Sequence, residues 1–299
     1  MPASADLAAL LDRLPSLAGH PRTVTPLAGG LSNHSYRVTT PTLTAVLRLP
    51  AGDAGLLGVD REHEYRNTVA AHAAGVGPPV LDRLGDVTVI GWLPGRTLTA
   101  ADLHDPAVLA RVVTACRVLH GGPRFAGEVD LVAVQRRYRA LCAEHGFAVP
   151  PRYDDHQRTV QRLAAALAAT PEPAVPCHND LLPANILDTG ERVSFVDYEY
   201  SANSDPCSEL GTLAGGAALD AEEVVERYYG RPRPSRAARA RLYTVLGHHT
   251  WALWAAVRAG TGDLDVDLGA WGREQYERSA AALTSAVLPS LLDAAARTD

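Results

Sequence analysis

Cys177-His178-Asn179-Asp180-Leu181-Leu182-Pro183-Ala184-Asn185-Ile186-Leu187 and, beyond Asp188–Arg192, Val193-Ser194-Phe195-Val196-Asp197-Tyr198-Glu199-Tyr200 are the segments that decide how this chain reads. The pattern is His-x-Asp, an Asn five positions after that Asp, then an apolar run ending in a second Asp. Two short apolar runs, Ile186–Leu187 and Val193–Val196, flank Asp188-Thr189-Gly190 and predict a tight hairpin. Such a hairpin carries Asn185 and Asp197 to the same end of a strand pair. Asp180 is placed to accept a hydrogen bond from a hydroxyl and to take its proton. Asn185 offers an amide oxygen and Asp197 a carboxylate, the hard donors that Mg²⁺ requires. The bland alternative is a turn in which Asp and Asn cap backbone groups. With 11 His in the chain, the first half of the pattern arises by chance in roughly one such sequence in a hundred. The added strand ending in Asp lowers those odds, and the catalytic reading is preferred.

Outward from this segment the chain divides in two. Leu7, Leu10, Leu11 and Leu14 predict an opening amphipathic helix. Strand-like runs follow at Ser35–Thr40, Thr44–Leu49, Pro79–Leu84 and Val87–Trp92, with one helix at about Asp60–Ala74 between the second and third. After Leu93-Pro94-Gly95, a candidate linker, the pattern is helical: Pro106–His120, Leu131–His145, Asp154–Ala169, Ala221–Tyr229, Ser235–Ala259 and Arg273–Leu292. The expected class is α+β, with a small antiparallel sheet lobe over 1–93 and a larger helical lobe over 94–299.

The chain has 299 residues, 46% of them hydrophobic and 21% charged, which excludes wholesale disorder. A formal charge of −6 argues against a general nucleic-acid binder, which needs a basic surface. All 28 basic residues are Arg, so any role usually given to a lysine ammonium falls to a guanidinium. Codon bias in a GC-rich genome is a sufficient cause. Cys116, Cys142, Cys177 and Cys207 are widely spaced and suggest buried free thiols of a reducing compartment, not a zinc site. No signal peptide and no bilayer-length apolar run is apparent, so a cytoplasmic protein without membrane partners is expected.

The segment quoted first has the arrangement of kinase-like phosphotransferases. "CHNDLLPANIL" followed by "FVDYEYS" resembles most closely the choline/ethanolamine kinase family within the aminoglycoside phosphotransferase superfamily. Further matches come in family order: Gly29-Gly30-Leu31-Ser32-Asn33, Val46-Leu47-Arg48-Leu49, Asp60-Arg61-Glu62-His63-Glu64 and Trp92-Leu93-Pro94-Gly95. The resemblance implies a bilobal, protein-kinase-like fold that uses ATP and Mg²⁺, with Asp180 as base and Asn185 and Asp197 as metal ligands. Gly29 and Gly30 let backbone N–H groups approach phosphate, and Ser32 and Asn33 add donors. Arg48 takes the place of the strand cation that anchors phosphates, oriented by Glu64 or Glu62. Adenine is expected against the backbone near Trp92 and Leu93. His178 and Tyr198 are read as bracing and packing. Family members usually carry Asp a few residues after "DP" to hold the catalytic loop; here that position is Glu209.

The acceptor is harder to read. Trp251 and Trp254 share a helical face, and Trp271 and Tyr276 follow. Alone, such a pair is usually core. The "HxxWxLW" run, however, resembles the choline-site helix of choline kinases, and Trp271 matches an aromatic beyond it. A quaternary ammonium lacks hydrogen-bonding capacity, so its recognition depends on ring faces, each worth roughly 0.5–2 kcal/mol, and on a carboxylate. Glu199 is placed to face that ammonium or an active-site neighbour. The expected small-molecule substrate is therefore choline or a related amino alcohol, with Asp180, Glu199, Trp251, Trp254, Trp271 and Tyr276 around it. The competing acceptors are thiamine, an aminoglycoside or a secondary-metabolite hydroxyl; an acidic cleft from Asp154, Asp155, Asp205, Asp263, Asp265 and Asp267 would suit an aminoglycoside. A non-catalytic binding module is disfavoured by the intact Asp180, Asn185 and Asp197.

Overall fold

A computed structural model describes residues 4–27, 33–50, 54–261 and 267–299. Its N-terminal part holds α1 (Ser4–Leu11), β1 (Thr23–Leu27), β2 (Asn33–Thr39), β3 (Thr44–Pro50), α2 (Ala54–Leu57), α3 (Arg61–Ala74), β4 (Val80–Leu84) and β5 (Val87–Gly91). The five strands form one antiparallel sheet in the order β1-β2-β3-β5-β4. Period-two alternation decides its faces. Tyr36, Val38, Ala45, Leu47, Leu49 and Val89 are buried on one side, where Leu11, Leu14 and Leu17 cover them. Arg48 lies between Leu47 and Leu49 in β3, so it emerges on the opposite face, toward α3. That helix starts at Asp60, whose carboxylate caps the N–H groups of Glu62 and His63 at 2.9 and 3.0 Å. It stops at Gly75, which adopts φ +87°.

The remainder is β6 (Arg96–Thr97), α4 (Pro106–His120), α5 (Leu131–His145), α6 (Gln157–Ala169), β7 (Val175–Cys177), β8 (Ile186–Asp188), β9 (Val193–Phe195), β10 (Ala202–Ser204), α7 (Pro206–Ala217), α8 (Ala221–Tyr229), α9 (Pro234–Thr261), α10 (Leu268–Leu283) and α11 (Leu288–Ala295). The fold is α+β, as expected from the strand and helix patterns. The long α9 is the axis of the helical part, buried nearly all round by α5, α7, α8, α10 and α11. Among helices, β8 and β9 form the expected hairpin, whose β8 also pairs with β6, while β7 pairs with β10. One helix expected over Arg273–Leu292 is instead two, because α10 ends at Thr284 and Pro289 opens α11 in its first turn. No helix among the described residues is long and apolar enough to cross a membrane.

Packing crosses the candidate linker at 93–95. Leu57 and Val59 are buried in one cluster with Tyr138, Tyr153 and Trp254. Ala71 and Val76 join another with Leu109, Phe195 and Leu210. Asn67, fully buried, donates to Ser201 O (2.9 Å) and accepts from Ala126 N (2.7 Å).

Candidate active site

The segment from β7 to β8 is a loop held at several points. Both oxygens of Glu209, on α7, accept backbone N–H groups, from His178 and Asn179 at 2.8 Å each. The longer side chain therefore reaches the loop where Asp is usual. His178 is buried, with Nε2 2.8 Å from Val196 O. Asn179 takes φ +62° and donates from Nδ2 to Tyr200 O at 3.1 Å. Asn185 donates from Nδ2 to Asp180 O (2.8 Å) and to Asp180 Oδ2 (3.1 Å). Val196 N–H reaches Asn185 O at 3.0 Å. Asp197 follows with φ +71°, a left-handed conformation uncommon for a non-glycine residue. The hairpin thus brings Asp180, Asn185 and Asp197 to one cleft. Burial, then the charges of Asp197 and Glu199, push the Asp180 carboxyl well above the ordinary carboxylate range.

Arg48 crosses this cleft. Its NH2 reaches Glu64 Oε1 at 3.0 Å and also contacts Asp197 Oδ1. Although burial opposes its charge, Asp197, Glu64 and Glu199 hold the guanidinium more firmly protonated than usual. Glu62 instead pairs with Arg83, because two positions along α3 turn the side chain to about the opposite face. Glu64 is the cleft partner. Gly29, Gly30 and Ser32 lie outside the described residues. Asn33 departs from its expected place as a phosphate donor: Nδ2 is 2.9 Å from Glu199 Oε2, because β2 begins there beside a buried carboxylate in need of donors. At the linker, Gly91 N–H donates to Pro79 O and Trp92 N–H to Thr44 O. Leu93 supplies the next N–H, and Pro94 has none. Trp92 is 41% exposed, with the Arg37 guanidinium 4.5 Å from its ring centroid.

A cavity of about 180 Å³ adjoins the loop, lined among others by Asn179, Glu199, Tyr200, Trp251, Tyr138, Val134 and Leu57. Of the aromatic residues expected around a substrate, Trp251 is on its wall. Trp254 is only 6% exposed and lies behind, with its indole N–H 2.8 Å from Tyr200 Oη. Trp271 meets Trp254 edge to face at 5.8 Å, and Tyr276 packs on Tyr153 at 5.9 Å and on His156. These three serve as packing rather than cavity wall, since α10 covers that face of α9. Tyr138 and Tyr200 were missed as wall residues. Tyr200 ends the segment quoted first and was within reach of sequence; Tyr138 sits in a helix with no distinguishing pattern.

The acidic cleft considered for an aminoglycoside does not form from the described residues. Asp154 pairs with Arg139, Asp155 with Arg152 and Asp205 with Arg239, and Asp267 caps α10. Asp263 and Asp265 lie outside the described residues. The four cysteines are buried and free. Cys177 lies with His120 and Glu209 in a buried group. Each is bonded within the protein: His120 Nδ1 is 2.8 Å from Tyr228 Oη, and Cys177 Sγ is 3.7 Å from Ser204 O.

Comparison with known proteins follows the same lines. Residues 23–259 match the model of the phosphotransferase enzyme family. A probable choline kinase 2 of Arabidopsis thaliana is 25% identical over 294 residues, covering 85% of this chain and 84% of that protein. The crystal structure of a choline/ethanolamine kinase family protein from Mesorhizobium loti superposes with TM-score 0.85 at 30% identity, covering 98% of this chain and 99% of the other. The choline kinase LicA from Streptococcus pneumoniae gives TM-score 0.77 at 20% identity, over 93% of this chain and all of its own. The chain belongs to the phosphotransferase enzyme family, on its choline/ethanolamine kinase side, and is an enzyme that transfers a phosphoryl group to a hydroxyl.

Proposed function

We propose that the chain transfers the γ-phosphoryl group of ATP to the hydroxyl of choline or a closely related amino alcohol. The observation that carries this reading is the aromatic-walled cavity, with Trp251 and Tyr200, opening beside the loop of Asp180. Ring faces suit a cation whose charge is wrapped in methyl groups. Asp180 orients the acceptor hydroxyl and takes its proton as the new bond forms. Asn185 fixes that carboxylate by donating to Oδ2. Arg48, steered by Glu64, draws phosphate charge into the cleft, and the Leu93 N–H meets the nucleobase edge.

The donors also fit a magnesium ion. Asn185 has its amide nitrogen engaged and an oxygen left, and Asp197 adds a carboxylate at the cleft. Mg²⁺ held there supplies charge neutralisation of the phosphates.

ADP release measured across choline, ethanolamine, thiamine and several aminoglycosides tests the acceptor. Choline or ethanolamine is expected to lead, and an aminoglycoside in first place would replace this reading. Asp180→Asn is expected to lower kcat by about 10²–10⁴ while nucleotide binding persists. Unchanged turnover would remove Asp180 from its role.

A further inference from the structure

Glu199 stands on the cavity wall with Trp251 and Tyr200, and a cation stands behind it. Its Oε2 accepts from Asn33 Nδ2, and Arg61 NH1 lies 3.7 Å from the same oxygen. That guanidinium is about one-tenth exposed, and the same NH1 reaches Glu64 Oε2 at 2.6 Å. Glu64 holds Arg48 with its other oxygen. Charges therefore alternate from Asp197 through Arg48, Glu64 and Arg61 to Glu199. Arg61 is fixed at the backbone too: it opens α3 directly after the cap Asp60, and Leu57 and Val59 just before are buried against Tyr138 and Trp254.

We propose that Arg61 is a specificity-determining residue. It offsets the Glu199 charge at the acceptor cavity, and so favours an alcohol whose cation is methylated over one whose ammonium carries N–H donors. The inference rests on the amino-alcohol reading given above. A primary ammonium entering the cavity gives up hydrogen bonds to water and needs a strong acceptor in return. Glu199, facing a guanidinium and already accepting from an amide, is a poor one. The other wall carboxylates are also committed, Asp60 to the cap of α3 and Glu128 to Arg124. A trimethylammonium group has no donors to satisfy and gains from the rings of Trp251, Tyr200 and Tyr138.

The test is the ratio of kcat/KM for choline to kcat/KM for ethanolamine, in which any common loss of phosphoryl transfer cancels. Wild type is expected to favour choline. Arg61→Gln uncovers Glu199 and lowers the ratio about tenfold, whereas Arg61→Lys, which keeps the charge, stays within about threefold of wild type. Glu199→Gln also stays within about threefold, because the carboxylate was not serving the ammonium. An unchanged ratio in folded Arg61→Gln overturns the proposal. So does a tenfold rise in Glu199→Gln, which would mean that Glu199 already anchors ethanolamine directly. If Arg61→Gln fails to fold by circular dichroism, Glu199→Gln decides alone. Wild-type protein that phosphorylates another alcohol but neither of these overturns the underlying reading, and the proposal with it.

Discussion

Glu209 holds the backbone of His178 and Asn179 from below, one carboxylate oxygen to each N–H. It is fully buried, yet the cost of burying its charge is outweighed by His120, His178 and the His178 N–H, which keep the carboxyl below its ordinary value. Glu209→Gln retains one acceptor and turns an amide N–H against the other donor. The expected result is a stability loss of about 2–4 kcal/mol in urea unfolding. A fall in kcat of about 10–100-fold with little change in nucleotide KM should accompany it, because a shifted loop misplaces Asp180.

Trp251 and Trp254 separate experimentally. Trp251→Ala is expected to raise the KM for choline about 2- to 30-fold and leave that for ATP unchanged. Trp254→Ala removes a buried ring and its bond to Tyr200, so the principal effect is a stability loss of about 3–5 kcal/mol. Thermal melts beside steady-state kinetics distinguish the two.

His249 gives stability a pH dependence. Burial, then His156, depress its pKa from 6.5 to about 3, and it is stacked on Tyr153 at 4.0 Å. The native imidazole stays neutral while the unfolded chain takes up a proton. Its contribution is thus complete above about pH 6.5 and is lost as pH falls toward 3, at up to about 1.4 kcal/mol per unit. His249→Phe should flatten the pH dependence of unfolding between about 6.5 and 4.5. An unchanged slope would place the proton elsewhere.

Gly58 adopts φ +83°, and a methyl group there would overlap the Arg137 guanidinium. That guanidinium bonds Gly55 O and Leu56 O at 2.8 Å, beside the bond from Tyr138 Oη to Leu57 O at 2.7 Å. Gly58→Ala is expected to cost about 1–3 kcal/mol. It should also raise acceptor KM, since Leu57, Gly58, Arg137 and Tyr138 line the cavity.

Local chemistry made much of the fold legible. Asp105, Asp130 and Asp220 each cap a helix, and α4, α5 and α8 begin and end where periodicity placed them. The helix α7 escaped because Gly211, Gly215 and Gly216 lower its propensity. Those glycines are a packing device: a methyl at Gly211 would overlap Ala240 O of α9. That Asn185 and Asp197 lie close together was readable because one hairpin joins them, and Asp180 is tied in through Asn185 Nδ2. The partnership of Arg61 with Glu199 was not, since it forms only when α3 docks against a loop far along the chain. The burial of Trp254 also depends on a later helix, α10, and spacing within α9 carries no trace of it.

The docking of α3 has a consequence for how the cleft breathes. Through Asn67 and Ala71 within it, and through Leu57 and Val59 just before it, this helix is welded to the helical half. Any movement of the sheet against the helical half is therefore expected to run between β3 and α3, not between α3 and the helices behind it. Arg48 and Glu64 face each other across that seam, so their contact has to persist through such movement if the guanidinium is to stay aimed at the phosphates.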